Sequence, residues 1–314
     1  MNVVLHYLAS PGFRAALDEA CPREVTLIIV DAADAVAFLR VLPETDAILH
    51  VLRPLAADDI AAARRLKLIQ KIGVGVNTID LEAARRHGVA VCNMPGTNSQ
   101  AVAELTLTLM LGALRRVSYF DPLTRRGDGW RPDASALDRV GELAGRTVGL
   151  VGFGAIPRRL APVLRALGAE VLYTARSEKV TADAQAVSFD TLIERSDIVS
   201  LHCPVTPETT AMISRAAIAR MKPGAILVNT ARGELVDEAA LFDALRTGHL
   251  RAAGLDVFVR EPTAADNPLF ALSNVVLTPH IGWLTPETLT RSMAIAFENC
   301  RRIEAGEDLL HRVV

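Results

Sequence analysis

Apolar positions along the chain fall into two alternating patterns. Short β-branched runs at residues 3–5, 26–30, 48–52, 68–72 and 89–92 read as strands, and Ala- and Arg-rich segments with helical spacing, such as 13–19, 34–39 and 81–86, lie between them. A second series of strand-like runs covers residues 147–151, 170–173, 198–201, 225–228, 251–255 and 275–277, again with helical patterns between. Strict alternation of this kind makes βαβ units, so the pattern predicts an α/β protein with two doubly wound parallel sheets.

Between the two series comes a long helix candidate, residues 99–117, and then a polar, Gly- and Pro-containing stretch, 121–136, expected to be a surface loop or a meeting point with another subunit. The domain change is placed near Pro95. Residues 1–96 with 284–314 then form one domain and residues 97–283 the other, because the last helix candidate, 286–305, has no strand partners of its own and is expected to return to the first domain.

Composition narrows the classes. The chain has 314 residues with 34 basic and 36 acidic side chains, a formal charge of −2, so no polybasic surface is expected to drive nucleic-acid or membrane binding. Half of the residues are hydrophobic, enough to bury a large core. Cys21, Cys92, Cys203 and Cys300 include no CxxC pair and suggest neither a zinc site nor a disulfide framework. The amino terminus lacks a cationic start and breaks its apolar run at Pro11 and Gly12. The apolar stretch 101–114 contains Glu104 and is too short to cross a bilayer. A soluble protein of the reducing cytoplasm is expected. His6, His50, His87, His202, His249 and His311 show no metal-ligand spacing, and no metal is expected.

The strand at 147–151 leads into Gly152-Phe153-Gly154-Ala155-Ile156-Pro157 and then a helical pattern over 158–167, the strand, turn, helix context that a dinucleotide fingerprint requires. Gly152 suits the tight turn, and Gly154 lets the backbone approach a pyrophosphate. The N–H groups of Ala155 and Ile156 lie at a positive helix end. Pro157 stands where a third glycine would be. A proline in the first helical turn gives up only an N–H without a helical partner, but the close helix-to-strand contact that glycine allows is expected to loosen.

An NAD site needs an acid at the end of the second strand, for the adenosine ribose. Here the strand ends Tyr173-Thr174-Ala175-Arg176-Ser177, with a small neutral residue at that position. Arg176 can pair with a 2′-phosphate, and Thr174 and Ser177 can hydrogen-bond to it. The reading is NADP(H) in preference to NAD(H); its competitor is an ordinary solvated arginine.

Three further segments end predicted strands: 229–233 with Arg232, 254–262 with Glu261, and 278–283 with His280. Ligands of open α/β sheets bind outside the carboxyl ends of the strands, so these side chains can converge there despite separations of 29 and 19 residues. Reduction of a 2-oxo acid needs a cation to grip the carboxylate and polarise the carbonyl, a proton for the alkoxide, and a charge to hold the proton donor. Arg232 supplies the fork, His280 the proton, and Glu261 the anion that steadies the imidazolium. The competing reading, a structural ion pair of Arg232 with Glu261 and a capping role for His280, ignores their common place at strand ends beside a nucleotide site.

With these residues in view, the chain resembles the D-isomer-specific 2-hydroxyacid dehydrogenases over nearly its whole length. The matching motifs run from Gly73-Val74-Gly75-Val76 and Ile79-Asp80 through Asn93-Met94-Pro95-Gly96, Val102-Ala103-Glu104, the glycine loop and His202-Cys203-Pro204 to the three segments above. The resemblance implies two Rossmann-like domains with the cofactor domain inserted into the substrate domain. It also implies a catalytic set matching Arg232, Glu261 and His280, and a homodimer held largely by the helix at 99–117. It implies further that N–H groups of the Val74-Gly75 turn hold the substrate carboxylate, that Cys203 and Pro204 line the adenosine side, and that Thr230, Ala231 and Asp256 approach the nicotinamide, Asp256 facing its carboxamide. The chain departs from the family pattern at Asn77-Thr78, Pro157 and Ala175. Ala175 with Arg176 is similar to the NADPH-using glyoxylate and hydroxypyruvate reductases.

Arg53, after the third strand, is a candidate to reach a substrate carboxylate or phosphate, with a solvated loop arginine as the alternative. Trp283 reads equally as a pocket wall beside His280 or as an anchor for the last helix. The leading expectation is an NADP-dependent reductase of small 2-oxo acids such as glyoxylate or hydroxypyruvate. A dinucleotide-sensing protein of the corepressor kind and an enzyme for another small anion, phosphite or formate, share the fold. A pure sensor has no chemical need of the three catalytic side chains, and formate oxidation needs no proton acceptor.

Overall fold

The computed structural model describes residues 1–177 and 179–314. In chain order, β1 (Asn2–His6), α1 (Pro11–Ala20), β2 (Thr26–Val30), α2 (Ala35–Val41), β3 (Ala47–His50), α3 (Ala57–Ala62), β4 (Leu68–Lys71), α4 (Leu81–Arg86) and β5 (Ala90–Cys92) alternate. The strands form a five-stranded sheet of order β2-β1-β3-β4-β5 in which every pair is parallel. Local chemistry starts the helices. Ser10, Asp34 and Asp80 accept the N–H groups of Phe13, Ala37 and Ala83, satisfying donors that have no partner inside the first turn.

The second series comprises α5 (Ser99–Arg115), α6 (Val117–Arg125), α7 (Ala134–Leu137), β6 (Thr147–Val151), α8 (Ala155–Ala166), β7 (Glu170–Thr174), β8 (Gln185–Ala186), α9 (Phe189–Arg195), β9 (Ile198–Leu201), α10 (Arg215–Arg220), β10 (Ala225–Asn229), α11 (Glu238–Thr247), β11 (Leu250–Leu255) and β12 (Val275–Leu277). Its seven-stranded parallel sheet has the order β12-β11-β10-β9-β6-β7-β8, so strand order reverses at β6. Alternate residues of a strand face opposite sides. Ile226 and Val228 of β10 join the apolar layer of α5 and α8, with Leu109 and Leu160, whereas Ala225 and Leu227 join that of α9 and α11, with Leu192 and Leu241.

The last helix, α12 (Pro286–Ala305), belongs with the first sheet, and the chain divides into a unit of Met1–Asn98 with Leu284–Val314 and a unit of Ser99–Trp283. Within the first unit Asn299 of α12 donates to Gln70 Oε1 at 2.6 Å and to the Leu310 carbonyl at 3.0 Å, and Val313 pairs with Val91. Among the described residues no helix is long and apolar enough to cross a membrane.

Two expectations are corrected. The helix read over 99–117 breaks at Arg116, whose φ of 53° lies in the left-handed region, and restarts as α6. The segment read as a loop from Asp121 is helical to Arg125 and includes Pro122, the chain leaving the helix only before Gly127 at φ 88°. Proline and nearby glycines made this stretch look irregular, but the Arg125 side chain meets Asp121 one turn back and spans the site of the proline. The short β8 escaped notice because both its residues are exposed polar or small side chains, without an apolar period.

Gly149 in the middle of β6 decides how closely α9 approaches the sheet: a Cβ there would lie 2.2 Å from Ser196 Oγ and 2.5 Å from Leu192 Cδ2, both fully buried residues. Gly149→Ala is therefore expected to lower unfolding stability by about 1–3 kcal/mol through overpacking, read from urea denaturation. An unchanged midpoint would show that α9 can retreat at no cost.

Candidate active site

The glycine turn lies where the second sheet reverses. Gly152 follows β6 with φ 95°, and its N–H donates to the Thr174 carbonyl at 2.8 Å. A Cβ at Gly152 would stand 2.6 Å from the His202 carbonyl oxygen and 3.0 Å from the Cys203 nitrogen, so only glycine lets the ends of β6 and β9 come this close. In doubly wound sheets the crevice at such a reversal takes the ligand. Gly154 caps α8 without a side chain and has open space around it, leaving the first N–H groups of a twelve-residue helix facing outward. Pro157 is buried inside that first turn, and Phe153 stacks on Tyr173 with ring centroids 4.1 Å apart.

At the far end of β7, Ala175, Arg176 and Ser177 are exposed and Thr174 is half-buried. The Tyr173 hydroxyl accepts the Lys179 N–H at 2.8 Å and donates to the Lys179 carbonyl at 2.9 Å, and Lys179 Nζ donates to Ser177 Oγ at 2.7 Å. Sequence reading missed this second cation, although a lysine three positions after Arg176 was its signal. The hydrogen bond from Thr206, its own N–H and the charge of Arg176 hold the Glu208 carboxyl below its ordinary range. Burial pushes the Cys203 thiol up, and the neighbouring His202 down to about 3.

Arg232, Glu261 and His280 all belong to the second unit. Arg232 follows β10 in extended conformation, its Nη1 donating to the Ala231 carbonyl at 2.6 Å. Burial lowers its pKa, with the Glu234 and Glu261 carboxylates opposing that shift. The next residue, Gly233, packs its Cα on the Phe258 carbonyl, where a Cβ would stand at 1.9 Å, so the arginine turn and the segment carrying Glu261 are in direct backbone contact.

Glu261 uses both oxygens: Oε1 accepts the Phe258 N–H at 2.9 Å and Oε2 lies 2.6 Å from His280 Nδ1. Burial alone raises its pKa, but the hydrogen bond and charge of His280, the Phe258 N–H and the Arg232 charge outweigh burial and bring it below the ordinary value. Both side chains of the pair keep some exposure, 18% for His280 and 30% for Glu261, so the dyad is reachable.

His280 has φ 55°, a region L side chains seldom adopt, and one buried carboxylate holds it there. Asp256 accepts from Thr278 Oγ1 at 2.6 Å and the Ile281 N–H at 2.9 Å through Oδ1, and from the Gly282 N–H at 2.9 Å through Oδ2, while its own carbonyl accepts the His280 N–H at 2.7 Å. A Cβ on Gly282 would crowd Asp256 Oδ2 at 2.9 Å. Burial raises the Asp256 pKa, against the hydrogen bonds from Thr278, Ile281 and Gly282 and the His280 charge. The role of Thr278 was invisible in sequence, where it is one more hydroxyl beside a proline.

Val74, Gly75 and Arg53 lie in the first unit, and Trp283 ends the second. Gly73 turns the chain with φ 130°, and the Val74 carbonyl accepts from Asn93 Nδ2 at 3.0 Å, so the Asn93-Met94 segment braces the Val74-Gly75 turn. The Arg53 guanidinium sits 4.6 Å over the Phe38 ring and 3.8 Å from Asp59 Oδ1. Trp283 is buried. Among the described residues no group of three or more His, Cys, Asp or Glu side chains is arranged to hold a metal.

The model of the D-isomer specific 2-hydroxyacid dehydrogenase NAD binding domain matches residues 107–282. The D-3-phosphoglycerate dehydrogenase of Mycobacterium leprae is 42% identical over 88% of this chain and 53% of its own length. The glyoxylate reductase of Aeropyrum pernix is 40% identical over 84% of this chain and 81% of its own. The chain thus spans about half the length of the phosphoglycerate dehydrogenases it matches. A solved protein of Thermus thermophilus, TT0316, superposes with a TM-score of 0.89 over all of both chains at 36% identity.

The Glu261 charge carries a pH signature. With a folded pKa below the ordinary 4.5, the carboxylate contributes stability above that value, and the contribution is lost as pH falls through the lowered folded value. The gap in melting temperature between the unsubstituted protein and Glu261→Gln is expected to be full at neutral pH and to close on acidification below 4.5. A gap independent of pH would mean that the Glu261 charge adds nothing to the fold.

Proposed function

This chain belongs to the D-isomer-specific 2-hydroxyacid dehydrogenases, and on that premise we propose that it reduces small 2-oxo acids, of the glyoxylate or hydroxypyruvate kind, to D-2-hydroxy acids with NADPH. The observation that carries this reading is the 2.6 Å contact of Glu261 Oε2 with His280 Nδ1, together with the charge of the half-buried Arg232 guanidinium. Because Glu261 occupies Nδ1, the ring exchanges its proton through Nε2. Arg232 grips the substrate carboxylate and polarises the adjacent carbonyl, and His280 protonates the oxygen as the carbonyl carbon is reduced. The reduced nicotinamide supplies the hydride. In the first unit, the N–H groups of Val74 and Gly75 are the groups suited to a substrate carboxylate, with Arg53 as a further cation for an anionic substrate.

The residues fit the cofactor. Gly152, Gly154, Ala155 and Ile156 form the phosphate cradle, Cys203 and Pro204 the adenosine side, and Thr230, Ala231 and Asp256 the nicotinamide end. A carboxylate has about four acceptor positions, and the loop of His280 takes three of those on Asp256, which leaves one for the carboxamide. Arg176 with Ser177, Thr174 and Lys179 favours NADP(H) over NAD(H), since two cations answer a 2′-phosphate and no acid stands at the end of β7.

Oxidation of NADPH and of NADH, followed against a panel of 2-oxo acids, tests the reading. The panel includes the oxo acid formed from D-3-phosphoglycerate, since several relatives are named for that substrate; a preference for it would shift the assignment to the phosphorylated acid. NADPH is expected to be preferred, and a preference for NADH would refute the Arg176 argument. His280→Asn is expected to cut kcat by about a hundredfold to ten-thousandfold with cofactor affinity nearly unchanged. Loss of both would make His280 structural.

A homodimer in the cytoplasm is part of the same proposal. Val117, Trp130 and Leu137 in and after α6 are exposed apolar side chains, 53%, 90% and 54%, each a candidate contact for a second copy. Sedimentation equilibrium is expected to give a dimer, and Trp130→Glu to shift it toward monomer. A monomeric unsubstituted chain would remove the dimer from the proposal.

A further inference from the structure

Thr106 of α5 is fully buried, and its single hydroxyl stands within hydrogen-bond distance of two oxygens: the Val102 carbonyl at 2.7 Å and Thr230 Oγ1 at 2.8 Å. Only one of these contacts leaves a choice of direction. A carbonyl oxygen accepts and never donates, so the Thr106 hydrogen goes to Val102. The contact with Thr230 must then run the other way, with Thr230 donating its hydrogen to Thr106. From this we propose that Thr106 is a positioning residue: it draws the Thr230 hydrogen inward and makes the outer side of the Thr230 hydroxyl an acceptor.

The consequence rests on the reading that Thr230 lies at the nicotinamide end of the site. An acceptor there suits the N–H of a carboxamide and repels a carboxylate, so Thr230 orients the pyridine ring and keeps the substrate anion for Arg232. The geometry has little freedom. Gly254 of β11 packs against α5, where a Cβ would lie 2.8 Å from Leu109 Cβ and 3.1 Å from the Leu109 carbonyl oxygen, so the helix carrying Thr106 lies directly on the sheet whose β10 leads into Thr230. A threonine that merely bonds the carbonyl one turn back would have no need of the second contact.

Three substitutions test the proposal: Thr106→Val, which keeps the shape and removes the hydroxyl, Thr106→Ser, which keeps the hydroxyl, and Thr230→Val. The readouts are the Kd of NADPH by fluorescence, KM and kcat separately, and the melting temperature. Thr106→Val is expected to raise the cofactor Kd about fivefold, the loss of one oriented hydrogen bond, and Thr106→Ser to leave it at the unsubstituted value. The Thr106→Val effect is expected to vanish in a Thr230→Val background, because the first residue acts through the second. Additive effects of the two substitutions, or Thr106→Ser as weak as Thr106→Val, would overturn the proposal and leave Thr106 a packing residue. If Thr230→Val alone leaves cofactor affinity unchanged, the placement of Thr230 at the nicotinamide fails, and the consequence drawn from the hydrogen-bond direction fails with it.

Discussion

A single buried carboxylate, Asp256, organises the loop that carries His280. Asp256, 1% exposed, collects a hydroxyl and two N–H groups from residues 278–282 and keeps His280 in a left-handed backbone conformation. Such a conformation costs about 1–3 kcal/mol in a residue with a side chain. The three hydrogen bonds offset that strain together with part of the cost of burying the carboxylate, which still raises its pKa. The imidazole is thereby presented to Glu261 by a braced loop.

Close backbone approach does the rest, and glycine is the device each time. Gly233 joins the arginine turn to the segment of Glu261, Gly282 lets the loop N–H reach Asp256, and Gly152 brings β6 against the end of β9. Two of these contacts tie together segments that end β10, β11 and β12, neighbours in the sheet. Parallel strands in register deliver their carboxyl ends to one edge, and glycine at those ends lets the loops touch without an intervening side chain. Chemistry that needs a cation, an anion and an imidazole within reach of one another follows from that edge.

The two ends of the nucleotide crevice use electrostatics differently. At the catalytic end charges are partly buried, where burial lowers the Arg232 pKa and the Glu261 charge opposes that shift, so each ion is held by its neighbours. Beyond β7 the Arg176 charge is solvent-exposed and screened, and the chain around it is fixed by the contacts of Tyr173 and Ser177 with Lys179.

Much was legible from the residues alone. Short β-branched apolar runs alternating with helical patterns point to parallel sheets, whose strands are buried on both faces. The glycine loop, the missing acid after β7 and the three candidate side chains Arg232, Glu261 and His280 were readable as a group because each sits at the end of such a run. What the tertiary structure decided is which atoms meet. The Asp256 oxygens on residues 278–282 and the Thr106–Thr230 pair, 124 positions apart, depend on close packing between elements distant in sequence. The break at Arg116 and the helix through Pro122 were misread because local propensity marks where a chain can bend, whereas side-chain contacts, Arg116 with the Ala136 carbonyl and Arg125 with Asp121, accompany the path it takes.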